Sequence, residues 1–462
     1  MELRSDTKLK EWKKFYRLNS YFHDDLEKLA SSLIPPEVSL IEFESQGGEL
    51  LSKLPNKEKL GVSSKPELLK HSQKHYKKIK FLDYASLQKL NKKFDYILLT
   101  HTLNDSEDVQ KLVSSLNKLS LYNSRVIAVY FNFLWKPIFD VAEKLGLRLP
   151  QNKESSWLSE ADINNFFYLE GFEKIKSGKR FIMPYKIALI SDFINKVVSQ
   201  IPLINIVCLT NYAIYKPIQF RNDYSVSIII PARNEAGHMR GVLKKIPKIG
   251  KSTEIIFVEG NSSDDTYQVI KDEIANYKGS LKLKLLKQKG KGKGDAVRLG
   301  FSYAKNDLLM ILDADLTVDP KELIKFYEAA ANGKGDLIMG SRLIYPMEKQ
   351  AMRVLNYLGN KFFSIAFSYL LDQRIKDTLC GTKVLLKSNY EKIASNRIFF
   401  GDFDPFGDYD LIFGASKLNL KIVEIPIRYK ERVYGKTNIS RFTHGFLLLK
   451  MVVFAAKKIK FT

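Results

Sequence analysis

The chain has 462 residues, which exceeds what one ordinary hydrophobic core holds and predicts two domains. Its formal net charge of +23 favours anionic partners: nucleic acid, an acidic membrane surface or phosphorylated substrates. The only two cysteines, Cys208 and Cys380, exclude a disulfide framework and a Cys/His metal set, and they fit a reducing cytoplasm.

The N-terminus is polar and has no apolar core of a signal peptide. A helix that spans a bilayer needs about 20 apolar residues. The longest apolar segments, residues 201–215 and 446–456, are interrupted by asparagine or lysine. The sequence therefore predicts no transmembrane helix and a cytoplasmic protein, with peripheral attachment to the inner face of a membrane left open.

Short apolar runs alternate with polar, helix-like stretches through most of the first half. The runs that we predict as strands are residues 38–43, 60–62, 78–82, 94–99 and 125–130. Strands that alternate with helices predict a doubly wound parallel sheet in an α/β domain. Such sheets bind ligands at the carboxyl ends of their strands.

Residues 1–218 resemble the class I S-adenosylmethionine-dependent methyltransferases, most visibly in residues 94–105. In that family an acidic residue and a glycine-rich turn follow the first strand, where the chain passes close to the cofactor. Glu42 matches the acidic residue, but Glu44 and Gln46 stand where glycines belong. Their side chains would crowd and repel the cofactor's carboxylate end. We therefore predict a degenerate Rossmann-like domain that serves as scaffold or regulator without S-adenosylmethionine.

The strongest candidate site of the second half lies in residues 308–317, an apolar run that ends in Asp313, Ala314, Asp315 and Thr317. The run predicts a strand buried on both faces. Two carboxylates one residue apart at its end can chelate one hard divalent ion, such as Mg²⁺ or Mn²⁺. A turn or a helix cap would use the same residues without any ligand.

Polar and glycine-rich segments follow two earlier predicted strands and precede the metal candidate. They comprise Pro231, Arg233 and Glu235 after residues 226–230, then Glu259 and Gly260 after the strand that ends at Val258, then residues 287–298 with Lys293. Small polar residues between a strand and a helix leave backbone amides free for a ligand, although helix capping is an alternative. The glycines and lysines of residues 287–298 predict either a diphosphate cradle or a solvated basic loop.

Taken together, these segments resemble glycosyltransferase family 2, in its dolichyl-phosphate mannosyltransferase-like branch, over residues 219–462. The resemblance implies a GT-A fold and inverting transfer of a hexose of the mannose or glucose type from a nucleotide diphosphate sugar to a polyprenyl phosphate. The nucleotide-sugar-binding residues that we assign are Pro231, Arg233, Glu235, Val258, Glu259, Gly260, Lys293, Asp313, Ala314 and Asp315. Asp313 and Asp315 match the metal carboxylates, and Arg342, Arg432 and Lys436 are assigned to the acceptor phosphate.

An acceptor phosphate is already a nucleophilic anion at neutral pH, so the reaction needs no general base. A hydroxyl acceptor would need one, and Asp408 or Asp410 is then the candidate. The last helix, residues 446–460, suits either core packing or a membrane interface because it combines an apolar surface with a basic stripe. No base-reading motif supports a nucleic-acid partner.

Two other functions share these residues. The Asp-x-Asp-x-Thr pattern at Asp313 also occurs in phosphatases of the haloacid dehalogenase type, where the first aspartate is phosphorylated. That motif belongs on the first strand of its domain, whereas three strand-like segments precede it here. The second alternative is a non-catalytic scaffold that binds a nucleotide sugar.

Overall fold

The computed structural model describes residues 3–100, 102–147, 157–345, 354–397, 408–432, 434 and 441–461. The chain forms two compact units, which divide between Ile218 and Gln219. Each unit contains a mixed sheet of seven described strands with helices along the chain between them. This architecture confirms the predicted α/β class.

The first unit has its sheet interior almost completely buried. Its strands are β1 (Leu40–Phe43), β2 (Lys59–Val62), β3 (Lys80–Leu82), β4 (Phe94–Thr100), β5 (Ser120–Phe131), β6 (Phe172–Arg180) and β7 (Thr210–Pro217). They lie in the order β3-β2-β1-β4-β5-β7-β6, with β1 to β5 parallel and β7 antiparallel to both neighbours. The chain order reverses between β1 and β4, and such a point opens a crevice at the carboxyl ends of the strands.

Helices and short helical turns connect these strands. They are α1 (Leu3–Leu18), α2 (Ser20–Leu33), α3 (Glu49–Lys53), α4 (Pro66–His75), α5 (Tyr84–Gln88), α6 (Thr102–Asp105), α7 (Val109–Leu119), α8 (Lys136–Lys144), α9 (Glu160–Leu169) and α10 (Ile190–Lys196), with 3-10 turns at Phe133–Trp135, Val198–Gln200 and Ile204–Val207. The α7 sequence buries Leu112 and Leu116 on one face, and the Asp108 side chain accepts a hydrogen bond from the Lys111 amide at its start.

The second unit also has a mixed sheet. Its strands are β8 (Val226–Ala232), β9 (Thr253–Glu259), β10 (Lys282–Lys287), β11 (Leu308–Ile311), β12 (Leu337–Ser341), β13 (Lys383–Leu386) and β14 (Ile422–Pro426). They lie in the order β10-β9-β8-β11-β13-β12-β14, and β13 is antiparallel to both neighbours. Strands β8 to β11 pair in parallel, so their carboxyl ends share one edge of the sheet.

Two hydrophobic clusters cover the two faces of this sheet. The helices that contribute to the unit are α11 (Ala236–Met239), α12 (Val242–Lys245), α13 (Thr266–Ala275), α14 (Lys293–Tyr303), α15 (Leu323–Ala331), α16 (Val354–Leu371), α17 (Lys387–Ser395), α18 (Asp408–Lys417) and α19 (Arg441–Ala455), with a 3-10 turn at Pro320–Glu322 and a π-helical end at Ala456–Lys460. Ile229 and Leu309 face one cluster, whereas Ile228 and Met310 face the other. This alternation is the physical reason for the continuous apolar runs in the sequence.

Two details differ from the expectation or refine it. The strand predicted over residues 308–317 ends at Ile311, because the chain turns at Asp313, whose carbonyl accepts a hydrogen bond from the Leu316 amide. The final helix packs in the core through Met451, whereas Val453 on the same helix is exposed. The membrane interface stays a prediction. Within the described part of the chain, every helix is too short or too polar to cross a bilayer.

Candidate functional site

The candidate site lies where β8, β9 and β11 end. The register places Ile229 beside Ile311 and Ala232 beside Glu259, so the loops that follow these strands begin at one edge of the sheet. The loop after β8 carries Glu235, and the turn after β11 carries the two aspartates. Parallel pairing therefore brings together side chains that are far apart in sequence.

Arg432 joins two of these loops. Its Nη2 donates to Glu235 Oε1 at 2.7 Å and to Asp315 Oδ2 at 3.1 Å. Glu235 is buried, and its second oxygen contacts His238 Nδ1 at 2.8 Å. Burial raises the pKa of Glu235, although His238 and Arg432 oppose that rise. His238 was missed by the sequence analysis, because a histidine inside a short helix has no signal of its own.

Asp313 pairs with a different cation. Lys293 Nζ lies 2.5 Å from Asp313 Oδ1, and Lys293 is the first residue of α14 after Gly292, whose φ is 87°. Burial alone would raise the pKa of Asp313, but Lys293, with Lys383 and Arg342 nearby, outweighs burial and lowers that pKa. The two aspartates thus each face a separate basic residue.

Gly381 lies directly against the Lys293–Asp313 ion pair. A β-carbon at this position would overlap the Asp313 carboxylate and the Lys293 ammonium. Glycine is therefore required for the backbone to approach this closely. Gly381 was not predicted as a site residue, because a single glycine within a polar loop gives no indication of what it approaches.

The loops after β8 and β9 are fixed mainly by their own hydrogen bonds. The Gly260 amide donates to the Ala232 carbonyl at 2.9 Å, and the Ser262 amide donates to Glu259 Oε1 at 2.5 Å. Asn234 and Asn261 both have a φ of 56°, and the Asn234 side chain accepts from the Ser263 amide. These bonds define the loop shape before any ligand binds.

The remaining assigned residues on these strands differ in exposure. Val258 is fully buried in the core, so its side chain packs rather than faces a ligand, and Ala314 is also buried. Pro231 is half-buried on β8. Arg233 is exposed, and no described residue pairs with it.

Arg342 follows the end of β12 and is held by a buried acid. Its Nε and Nη2 donate to Asp377 at 2.7 and 2.8 Å, and its backbone amide donates to the same carboxylate at 3.0 Å. Asn360 adds a further hydrogen bond of 2.9 Å to Asp377. This bidentate pair engages much of the guanidinium and fixes its orientation. The assignment of Arg342 to the acceptor phosphate stays a prediction.

The two aspartates proposed as bases have different outcomes. Asp410 is buried and accepts a 2.7 Å hydrogen bond from Arg397 Nε, so the two residues form an internal ion pair. The side chain of Asp408 lies outside the described residues, and so does Lys436. Cys380 is buried in the core, and desolvation raises its pKa to about 11, as expected for a packed thiol.

The donor set at Asp313 and Asp315 fits a hard divalent ion. Both side chains are partly accessible, at 30% and 18% exposure, and both offer carboxylate oxygens, the ligands that Mg²⁺ and Mn²⁺ prefer. Thr317 Oγ1 donates to Asp315 Oδ1 at 2.8 Å and fixes that carboxylate. Among the described residues no cluster of three acidic, histidine or cysteine ligands forms, so ligands from elsewhere would complete the coordination.

The first unit has a turn after β1 that does not fit S-adenosylmethionine. Glu44 and Gln46 adopt φ values of 50° and 48°, a region that favours glycine. The Glu44 carboxylate accepts from the Ser64 hydroxyl at 3.0 Å, and Gln46 accepts from Trp12 Nε1 at 3.1 Å. The turn is thus occupied by its own side chains where the family carries glycines.

Comparison with known proteins gives the family of the second unit. Residues 227–393 match the family model described as glycosyl transferase family 2. The chain is 35% identical over 229 residues to undecaprenyl-phosphate 4-deoxy-4-formamido-L-arabinose transferase of Edwardsiella ictaluri, covering 48% of this chain and 64% of that protein. It is 28% identical over 237 residues to dolichol-phosphate mannosyltransferase of Pyrococcus furiosus, covering 49% and 64% respectively.

The chain thus spans about 64% of the length of these curated relatives. The match confirms that the C-terminal half carries a glycosyltransferase family 2 domain, as its motifs indicated. The phosphatase alternative receives no support, since β8, β9 and β10 precede Asp313 in the same sheet.

Solved structures are similar to each half. A possible histamine N-methyltransferase from Thermotoga maritima, an S-adenosylmethionine-dependent methyltransferase, aligns with a TM-score of 0.37 and 12% identity over 47% of this chain and 100% of that chain. Glucosyl-3-phosphoglycerate synthase from Mycobacterium tuberculosis, in complex with Mn²⁺, UDP and phosphoglyceric acid, aligns with a TM-score of 0.37 and 14% identity over 51% of this chain and 78% of that chain.

Proposed function

We propose that the second unit transfers a hexose from a nucleotide diphosphate sugar to a polyprenyl phosphate, with inversion and with the help of a divalent ion. The family 2 domain and the two polyprenyl-phosphate transferase relatives support the reaction class. The observation that carries the proposal is the convergence of Glu235, Asp315 and Arg432 next to the Lys293–Asp313 pair.

The donor diphosphate is expected at the amino end of α14. Lys293 opens this helix, where backbone amides and the helix dipole favour an anion, and Gly292 lets the chain approach it closely. Lys293 pairs with Asp313 in this structure, and a diphosphate would compete for the same ammonium. Donor binding would therefore exchange an internal ion pair for an external one and leave the Asp313 carboxylate available.

Asp313 and Asp315 would hold Mg²⁺ or Mn²⁺. When bound, such an ion neutralises charge that develops on the departing nucleoside diphosphate. The chain keeps the carboxylates ready for this role by two means. Thr317 fixes the Asp315 carboxylate through Oδ1, and the lowered pKa of Asp313 keeps that residue ionised.

The acceptor phosphate would be attracted to Arg432. With a second pKa of about 6, a phosphate monoester is largely a dianion at neutral pH and needs no proton removed. Glu235 and Asp315 restrain the Arg432 guanidinium, so it is positioned before the acceptor arrives. The internal partner of Asp410 agrees with a mechanism that uses no general base.

Two helices of the second unit offer an apolar face to a lipid acceptor. Helix α16 packs against α19, and each leaves an apolar stripe exposed at helical spacing. The stripes consist of Leu358, Phe362 and Ile365 on α16 and of Phe446, Leu449 and Val453 on α19. We call these six residues the α16–α19 stripe. Exposure of such stripes to water is unfavourable, whereas contact with a polyprenyl chain or a bilayer surface would bury their apolar side chains.

The proposal is tested by thermal shift of the full chain with GDP- and UDP-sugars, with and without Mn²⁺ or Mg²⁺. Sugar transfer to a short-chain polyprenyl phosphate is then measured for each sugar that binds. Asp315→Asn is expected to abolish the metal-dependent shift and to lower transfer at least about a hundredfold. Asp272→Asn, on the exposed face of α13, is the matched control. A metal-independent shift, or full activity in Asp315→Asn, would contradict the proposal.

A further inference from the structure

The first unit has an extensive apolar surface that no described residue covers. It is formed by two segments, residues 133–147 and 185–207. On α8 and the turn before it, Leu134, Ile138, Val141 and Leu145 recur at helical spacing and are exposed by 44%, 52%, 55% and 68%. Monomeric proteins in water rarely expose large contiguous apolar surfaces without a binding role.

The second segment has the reverse of the polarity expected of a helix in water. Its inward residues are small and polar, namely Ser191, Asn195 and Ser199, all of which are buried. Most of its outward residues are apolar, and Ile190 and Phe193 are more than half exposed. An amphipathic helix on a soluble domain would place these two kinds of side chain the other way round.

The buried polar residues explain how this reversed segment stays attached to the domain. Asn195 Oδ1 accepts from the amides of Ile182 and Met183 at 2.8 and 2.9 Å, and its Nδ2 donates to the Met183 carbonyl at 3.0 Å. Ser191 Oγ donates to the Tyr185 carbonyl at 2.6 Å. Hydrogen bonds thus hold the segment in place, and its apolar side chains remain available for another surface.

Two leucines in this segment lie at turns where φ is positive, which favours glycine. Leu189 and Leu203 are exposed by 85% and 81%, and their φ values are 65° and 74°. A leucine is disfavoured in this backbone region, and its exposure to water adds nothing in return. Contact between these side chains and an apolar medium would supply the missing stabilisation.

The two segments form one surface. Asn132 Nδ2 donates to the carbonyls of Ile206 and Cys208 at 2.7 and 2.8 Å, and Trp135 Nε1 donates to the Val207 carbonyl at 2.9 Å. These bonds connect the start of α8 to the end of the second segment. We call the exposed apolar side chains of residues 133–147 and 185–207 the N-terminal apolar surface.

We infer that the N-terminal apolar surface docks on an anionic lipid bilayer. Exposed lysines lie along both segments at positions 136, 144, 186 and 196, while acidic residues in the segments are Asp140, Glu143 and Asp192. The net charge of the chain is +23, which adds attraction to anionic headgroups. Paired helical stripes of apolar side chains match an interface that inserts shallowly beneath the headgroups. This inference is independent of the transferase activity of the second unit.

The experiment measures co-sedimentation of the full chain with vesicles of phosphatidylcholine alone or mixed with phosphatidylglycerol. Because the α16–α19 stripe can also contact lipid, all variants carry Phe362→Ser and Phe446→Ser as a common background. In that background, the unchanged N-terminal surface is expected to retain binding to the anionic vesicles. Adding Ile190→Ser and Phe193→Ser, or Ile138→Ser and Val141→Ser, is expected to weaken this binding at least about tenfold.

The control pair is Tyr168→Ser with Leu169→Ser, two exposed apolar residues of the same unit that precede the opposite end of β6. This pair is expected to leave vesicle binding unchanged. Far-ultraviolet circular dichroism and melting curves check that every variant folds.

Three outcomes would overturn the inference. They are no vesicle binding in the common background, equal losses in the surface and control variants, and a dimer by light scattering that the surface substitutions convert to a monomer. The last result would identify a second copy of the chain as the occupant.

Discussion

The Arg342–Asp377 pair is a buried ion pair on which the second unit depends. Asp377 is fully buried, and although desolvation alone would raise its pKa, the Arg342 guanidinium and the Asn360 amide lower that pKa to about 2. Removing one member of such a pair leaves an uncompensated buried charge. Asp377→Asn is therefore expected to lower the free energy of unfolding by about 3 kcal/mol at pH 7.

The lowered pKa of Asp377 also determines how this loss of stability depends on pH. Because the folded-state pKa of Asp377 is lowered below its unfolded value of about 4, the carboxylate contributes stability above that value and loses it as pH falls through about 2. The difference between wild type and Asp377→Asn should thus narrow at pH 3. Amide hydrogen exchange of the β12 and β13 peptides measures it, with Asp272→Asn as control. A difference that stays constant with pH would argue against the assignment.

Glu42, in the first unit, has a raised pKa, in contrast to Asp377. It is buried on β1, one carboxylate oxygen accepts from Thr100 Oγ1 at 2.8 Å, and the other has no hydrogen-bond partner among the described residues. Desolvation raises the pKa of Glu42 to about 7. The folded chain therefore binds more protons than the unfolded chain between about pH 4.5 and 7, and stability falls as pH rises through this window.

Glu42→Gln is expected to remove this pH dependence. The variant should be more stable than wild type by about 2 to 3 kcal/mol at pH 8 and nearly equal to it at pH 5. The three tryptophans lie at positions 12, 135 and 157, so their fluorescence reports on unfolding of the first unit alone. Equal effects of the substitution at both pH values would show that the Glu42 carboxyl titrates normally.

At the scale of elements, the loop before β13 approaches the start of α14 through Gly381. A methyl group in Gly381→Ala would displace the Lys293 ammonium or the Asp313 carboxylate. We expect affinity for the nucleotide sugar with Mn²⁺ to fall at least about tenfold. Gly359→Ala, in α16 with open space around the added methyl, is the matched control and should leave affinity unchanged. Calorimetric titration distinguishes the two variants, and equal affinities would contradict the role given to Gly381.

Two strands that are buried on both faces could be predicted from sequence, whereas the edge strand β6 could not. The apolar runs of β4 and β11 are buried on both faces, so composition alone located them. The edge strand β6 was not predicted, because its Lys174, Lys176 and Lys179 hide any apolar alternation. The end of β11 was placed too late, because the sequence does not show where the turn after Ile311 begins.

The same distinction applies to the candidate site. Asp313, Asp315 and Glu235 could be selected because each follows a predicted strand whose end must lie at the ligand edge. The partner of Arg342 could not be selected, because Asp377 lies 35 residues away and several arginines and aspartates could pair equally well. Only the folded sheet determines which of these pairs are close.

On the scale of the whole molecule, each unit has its own hydrophobic clusters and its own crevice-forming sheet edge. Among the described residues, the second unit brings together basic and acidic groups suited to a phosphorylated ligand, namely Lys293, Asp313, Asp315 and Arg432. In the first unit, side chains occupy the turn where a cofactor would pass. Glu44 is hydrogen-bonded to Ser64, and Gln46 is hydrogen-bonded to Trp12. We therefore expect ligand-dependent stabilisation to arise in one unit only.

Hydrogen exchange of the full chain tests this division of roles. A nucleotide sugar with Mn²⁺, at about one hundred times its dissociation constant, should stabilise the second unit by about 2.7 kcal/mol and slow exchange in the β8 and β11 peptides. S-adenosylmethionine should leave exchange in the β1 and β4 peptides unchanged. Glu44→Gly with Gln46→Gly serves as the matched variant, since it restores glycines to the turn. Protection of β1 by S-adenosylmethionine in the wild type would mean that the turn opens for the cofactor despite its side chains.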